Sequence, residues 1–153
     1  MFRKLTIDNI DKKILSYLMN DARISFLSIA KECNISSAAI QQRVKKMTDA
    51  GIIKGSKFTI RPKVLGYDIC AFIGVFLDKA HAYKSVVNEL MKINEIVECH
   101  YTTGNYAIFL KLYCKNNEHL MKILIDTIQN IQGVSRTETF ISLEQTIERQ
   151  IEV

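Results

Sequence analysis

Ser36, Ser37, Ala38, Gln41, Gln42, Arg43, Lys45 and Lys46 fall in one short stretch whose apolar residues, Ile40, Val44 and Met47, recur at i, i+4 and i+7. That spacing predicts a helix that turns its apolar stripe inward. Ser37, Ala38, Gln41, Gln42 and Lys45 then face outward, with Arg43 and Lys46 on the flanks. The small residues at the head of the helix would let its backbone approach a ligand closely. Glutamine amides can offer a paired donor and acceptor to an adenine edge. Lysine and arginine neutralise phosphates, and a helix N-terminus opened by Ser36 is itself a phosphate site. Lys54 and Lys57 would add backbone contacts shortly after, together with Arg61 and Lys63. Taken together, these residue types suit the major groove of double-stranded DNA. The plainer reading is the solvated face of a helix in a protein-binding bundle.

Other chemistries find little support. His81, His100 and His119 are scattered. Cys99 and His100 are neighbours on a predicted strand, so their side chains point to opposite faces and cannot form a nucleophile–base pair. Cys33, Cys70, Cys99 and Cys114 show no metal-ligand spacing and are expected to be small buried hydrophobes in a reducing compartment. Gly51-Ile52-Ile53-Lys54-Gly55 lacks the Gly-Lys-Ser/Thr ending of a phosphate-cradling loop. The pattern therefore predicts no catalytic residues, no metal and no cofactor. Met1-Phe2-Arg3-Lys4-Leu5 is followed by polar residues, so no signal-peptide apolar region is expected. The longest apolar run, Ile69 to Leu77, is nine residues, well under the roughly 20 needed to cross a bilayer. A soluble cytoplasmic protein without membrane contact is the expectation.

Charge separates the chain into two parts. The 153 residues carry a net charge of +5, but residues 1–63 hold 13 Lys/Arg against 5 Asp/Glu, and residues 64–153 hold 8 against 11. A net of +8 on the first part favours DNA over the protein-bundle alternative, because so concentrated a positive charge suits a polyanion. The first part also carries the elements to position the outward face. Asp8 is an N-cap for a helix through Ile10, Ile14, Leu15 and Leu18 to about Met19. A second helix opens at Ser25 and ends near Asn34, and a very tight turn leads to the third, which Gly51 stops. Two short helices so joined, behind a supporting first, make a helix-turn-helix. Ile52-Ile53 and Lys57–Ile60 are expected to pair as a hairpin wing, and Pro62 marks the boundary between a domain at 1–62 and one at 63–153.

In the second part, Asp68–Asp78 reads as a buried strand, Tyr83–Ile93 as a helix, and Ile96–Thr103 as a strand. Gly104-Asn105 reads as a turn, Tyr106–Tyr113 as a returning strand, Asn117–Ile131 as a helix and Val134–Leu143 as a last strand. The order β-α-β-β-α-β predicts a ferredoxin-like sandwich, one sheet covered by two helices. The whole is an α+β chain. The uncovered sheet face is expected to meet a second copy.

At this point the chain resembles the Lrp/AsnC family of leucine- and asparagine-responsive regulators. The resemblance is carried by Ile7-Asp8-Asn9-Ile10-Asp11-Lys12-Lys13-Ile14-Leu15, by Asp21-Ala22-Arg23-Ile24-Ser25, and by Ile29-Ala30-Lys31 with Ile35-Ser36. Arg43-Val44-Lys45-Lys46-Met47 then leads to Ala50-Gly51-Ile52-Ile53. In the second part, Val97-Glu98-Cys99-His100 leads into Thr103-Gly104, and Gly133-Val134 into Thr137-Glu138-Thr139. The resemblance implies a transcription regulator with a winged helix-turn-helix and a sandwich of RAM type for oligomerisation and effector sensing. It implies homodimers, often assembled as tetramers of dimers, and an amino-acid effector between dimers. The effector turn would be Thr103-Gly104-Asn105-Tyr106-Ala107, with Thr137 and Thr139 supplied by a neighbouring subunit. Family members usually carry an aspartate two or three residues past that glycine, whereas Asn105-Tyr106-Ala107 has no carboxylate. Two alternatives share the scaffold: a sirohaem-decarboxylase-like enzyme, and an amino-acid-sensing partner protein that does not bind DNA.

Overall fold

The computed structural model describes residues 6–153, so the reading of Met1-Phe2-Arg3-Lys4-Leu5 lies outside the described residues. The chain forms two compact units, one running to Thr59 and including Ile147–Val153, the other Ile60–Thr146. No helix among the described residues is long and apolar enough to cross a membrane.

The first unit holds α1 (Asn9–Asn20), α2 (Phe26–Cys33) and α3 (Ser37–Asp49). Each start is fixed by a side-chain cap that satisfies an otherwise unpaired amide. Asp8 and Asp11 cap α1 reciprocally, Ser25 accepts from the Ser28 amide, and Ser36 accepts from the Ala39 amide at 3.1 Å. Asn34 ends α2 with φ 57°, the left-handed turn that swings the chain into α3. Ile14, Ile29, Ile40 and Met47 meet in a closed core with Leu15 and Ala30, while Val44 is partly buried against it. Each fully buried isoleucine contributes about 2 kcal/mol of transfer free energy.

Beyond α3 the expected hairpin does not form. Residues 53–61 run without strand pairing, and Phe58 and Ile60 are exposed. The amides of Ile52 and Ile53 both donate to the Met47 carbonyl, at 2.9 and 3.3 Å. They close the end of α3, and Ile52-Ile53 has no second amide to give a ladder. Phe58 instead lies under the Arg23 guanidinium, 4.5 Å from its ring centroid.

The second unit holds β1 (Ile69–Leu77), α4 (Tyr83–Leu90), β2 (Ile96–Tyr101), β3 (Ile108–Cys114), α5 (Asn117–Lys122) and β4 (Val134–Ile141). The strands form one antiparallel sheet in the order β2-β3-β1-β4, the expected ferredoxin-like arrangement. β3 alternates strictly between buried and half-buried residues, as a strand covered on one face must. Ile73, Val75, Ile108, Leu110 and Leu112 fill the covered face against Val86, Leu90, Ile123 and Ile128.

Two expectations for this unit are corrected. The helix read across Asn117–Ile131 is α-helical only to Lys122, then a π turn over Ile123–Thr127 and a 3-10 turn over Ile128–Asn130. Ile123 and Ile128, both buried, stand five residues apart, a spacing that a π turn places on one face and an α-helix does not. Cys99 is exposed, not buried, because β2 is an edge strand whose residues from Val97 to Tyr101 are open to solvent; only Cys114 is fully buried among the four cysteines. Ile147–Val153 group with the first unit. The Ser142 amide donates to the Cys70 carbonyl at 2.8 Å just past the end of β4, after which the tail has no regular structure.

Candidate DNA-reading helix and effector turn

α3 presents the face that its periodicity foretells. Ser36, Ala38, Gln41, Gln42, Lys45 and Lys46 are exposed, as are Lys54 and Lys57 beyond the helix, while Ser37 and Arg43 are half-buried. Ile40 and Met47, on the opposite side, are buried to 0% and 1% exposure. Lys45 pairs with Asp49 at 2.6 Å, but both side chains are well exposed, so the pair is weak and easily exchanged for a phosphate.

Arg43 does not fit the flank role in the same way. Its Nη1 lies 2.7 Å from Asp8 Oδ2 and 2.7 Å from Asp11 Oδ1, at the head of α1. The Asp11 amide and the Arg43 guanidinium hold the Asp8 carboxyl below its ordinary value of 3.8. Sequence reading found Asp8 as a cap but missed this pairing, because nothing local links positions more than 30 residues apart. The spacing Asp8-x-x-Asp11 was the available sign of a reciprocal cap.

In the second unit, the turn between β2 and β3 exposes Thr103, Gly104 and Asn105. Gly104 takes φ 107°, a conformation that a side chain would strain, and no atom lies near the position of a Cβ there. Tyr106 turns away from the turn's open side. Its ring lies directly over Gly74 on the uncovered sheet face, and its hydroxyl donates to Glu138 Oε2 at 2.7 Å. Hydrogen bonding to the Glu138 carboxylate raises the Tyr106 pKa above 10.0. The Ala107 amide donates to the Val75 carbonyl at 3.1 Å. Thr137 and Thr139 pair with Val75 and Ile73, so they share the helix-covered face, and Thr137 Oγ1 accepts from Gln129 at 2.8 Å. Within one chain the Tyr106 ring and the two threonines are therefore on opposite faces of the sheet. Gly74 and Glu138, which seat Tyr106, went unread as a pair because they lie on different strands.

The uncovered face is aromatic. Phe72 stacks on Phe109 at 5.8 Å, Tyr106 meets Phe76 edge-on at 5.2 Å and Phe140 at 6.3 Å, and Arg136 lies 3.8 Å above the Phe76 ring. Lys111 and Glu98 pair at its β2 side, 3.5 Å apart. Among the described residues no group of three or more acidic, cysteine or histidine side chains is placed to hold a metal.

Comparison with known proteins covers both units. Residues 70–151 match the model of the Lrp/AsnC ligand binding domain, and residues 7–54 match a winged helix-turn-helix DNA-binding model. Regulatory protein AsnC of Escherichia coli K12 is 43% identical over 145 residues, 95% of each chain. The HTH-type transcriptional regulator FL11 of Pyrococcus furiosus is 38% identical over 138 residues, 90% of each. The structure of E. coli AsnC superposes with a TM-score of 0.93 at 42% identity, over 97% of this chain and 100% of that one. By these matches over both units, the chain belongs to the Lrp/AsnC family of DNA-binding transcriptional regulators.

Proposed function

We propose that α3 is the helix that reads DNA, with Gln41 and Gln42 addressing base edges, and Ser36, Ser37 and Ala38 letting the capped helix head approach the backbone. Lys45, Lys46, Lys54 and Lys57 neutralise phosphates. The observation that carries this is the exposed polar and basic face of α3 opposite its buried Ile40 and Met47. The concentration of positive charge in residues 1–63 supports it. Two copies joined through the aromatic sheet face would bring two such helices to successive major grooves of a roughly palindromic site, about one helical turn apart. Higher assembly, as tetramers of dimers, would bring the Gly104 turn of one dimer beside Thr137 and Thr139 of another. The exposed amides around Gly104 suit a carboxylate. Asn105 offers an ammonium group a neutral acceptor, and charge-assisted bonds are roughly twice as strong as neutral ones. Ordinary amino acids should therefore bind weakly there. The protein acts as a cytoplasmic regulator without catalysis; no observation favours the sirohaem reading, and its relatives carry the names of regulators.

Selection of genomic DNA by the purified protein, with and without an amino-acid mixture, tests the reading. Recovery of fragments sharing a two-part site with half-sites about one turn apart is expected. Recovery of unrelated fragments would overturn it.

A further inference from the structure

We infer that Arg43 is a positioning residue, a latch that sets the angle of α3 against the head of α1, and not a phosphate contact. The inference rests on the reading of α3 as the DNA-reading helix. Its geometry uses every carboxylate oxygen at the head of α1. Asp8 Oδ1 accepts from the Asp11 amide at 2.8 Å and Asp11 Oδ2 from the Asp8 amide at 3.1 Å. The remaining oxygens, Asp8 Oδ2 and Asp11 Oδ1, both take Arg43 Nη1, each at 2.7 Å. One guanidinium nitrogen thus bridges the reciprocal cap of α1 to the middle of α3. The Asp11 side chain is only 8% exposed, so water cannot readily take the place of that partner.

The remaining hold on α3 is apolar. Packing of Ile40 and Met47 is strong but weakly directional. A charge-assisted bond to fixed carboxylates is directional. Arg43 directly follows Gln42, so fixing its guanidinium fixes the direction in which Gln41 and Gln42 are offered. A guanidinium whose charge already faces two carboxylates, on a side chain 31% exposed, gains less from a phosphate than an exposed lysine does.

A latch and a phosphate contact give opposite signatures. Arg43→Gln, Asp11→Asn and the double variant are titrated by fluorescence anisotropy against a fragment recovered by genomic selection and against a shuffled duplex, across a salt series. The latch predicts that Arg43→Gln lowers the ratio of specific to shuffled affinity about tenfold with an unchanged salt slope. Asp11→Asn should lower the ratio likewise, although loss of a negative charge would by itself tighten all DNA alike. The double variant should be no worse than either single one. Loss of folded protein would reduce both affinities together and leave the ratio alone. Asp8→Asn keeps a good cap while weakening the latch, and should lower the ratio several-fold with the fold intact. A salt slope reduced by about 0.9 in Arg43→Gln with the ratio intact would overturn the latch. So would uniformly tighter binding by Asp11→Asn, or an unchanged ratio in Asp8→Asn. Gln41→Ala with Gln42→Ala runs beside them. If that change also spares the ratio, the reading of α3 itself fails; if it lowers the ratio while the latch variants do not, only the latch fails.

Discussion

Asp8 combines a cap and an ion pair in one carboxylate, and both favour its charged form. The Asp11 amide and then Arg43 hold its pKa below 3.8 in the folded chain. A depressed carboxylate contributes stability that is present above the unfolded value and is lost as pH falls through the folded one. Urea midpoints should thus hold steady from about pH 6 to about pH 4 and fall below that, and Asp8→Asn should flatten the fall. A wild-type fall no steeper than that of the variant would count against the pairing. At this scale the sequence showed residue types and spacing within one helix. It placed Gln41, Gln42 and Lys45 on one exposed face, with Lys46 at its flank, from the period of Ile40, Val44 and Met47 alone. It did not show the pairing of Arg43 with Asp8 and Asp11, because a guanidinium's partner is set by tertiary packing.

Among the elements, those with strong local signals were legible and those decided by competition were not. Caps at Asp8, Ser25 and Ser36 and the left-handed Asn34 fixed three helices closely. The hairpin failed because its amides were already committed to the end of α3, and the π turn because apolar spacing of five looks like a lapse in an α-helix. The sheet contains a contact that sequence could not show. A Cβ on Gly74 would stand 2.4 Å from the Tyr106 ring, so β1 needs glycine there for Tyr106 to lie flat and reach Glu138. Gly74→Ala should therefore cost about 1–3 kcal/mol in urea unfolding. Added to Tyr106→Ala, which removes the obstructing ring, it should cost far less. Equal cost in both backgrounds would mean the ring is not the obstacle.

For the whole molecule, positive charge gathers in residues 1–63, with 13 Lys/Arg against 5 Asp/Glu, whereas residues 64–153 hold 8 against 11, and the two stretches match different family models. The aromatic sheet face exposes Phe140 to 48%, a patch that a second copy would cover. The candidate effector turn rests on resemblance; within one chain Tyr106 reaches Glu138 on the uncovered face, while Thr137 and Thr139 of β4 face the helices. Isothermal titration across the twenty amino acids should accordingly find no micromolar binder; a simple amino acid bound at micromolar strength would show that Asn105 suffices. The central claim is that α3 reads sequence through Gln41 and Gln42. It is tested most directly by the affinity of Gln41→Ala with Gln42→Ala for a selected site relative to a shuffled duplex, followed across salt. The account predicts a ratio lowered by about tenfold or more, with a salt slope equal to that of the unaltered protein. An unchanged ratio would contradict it.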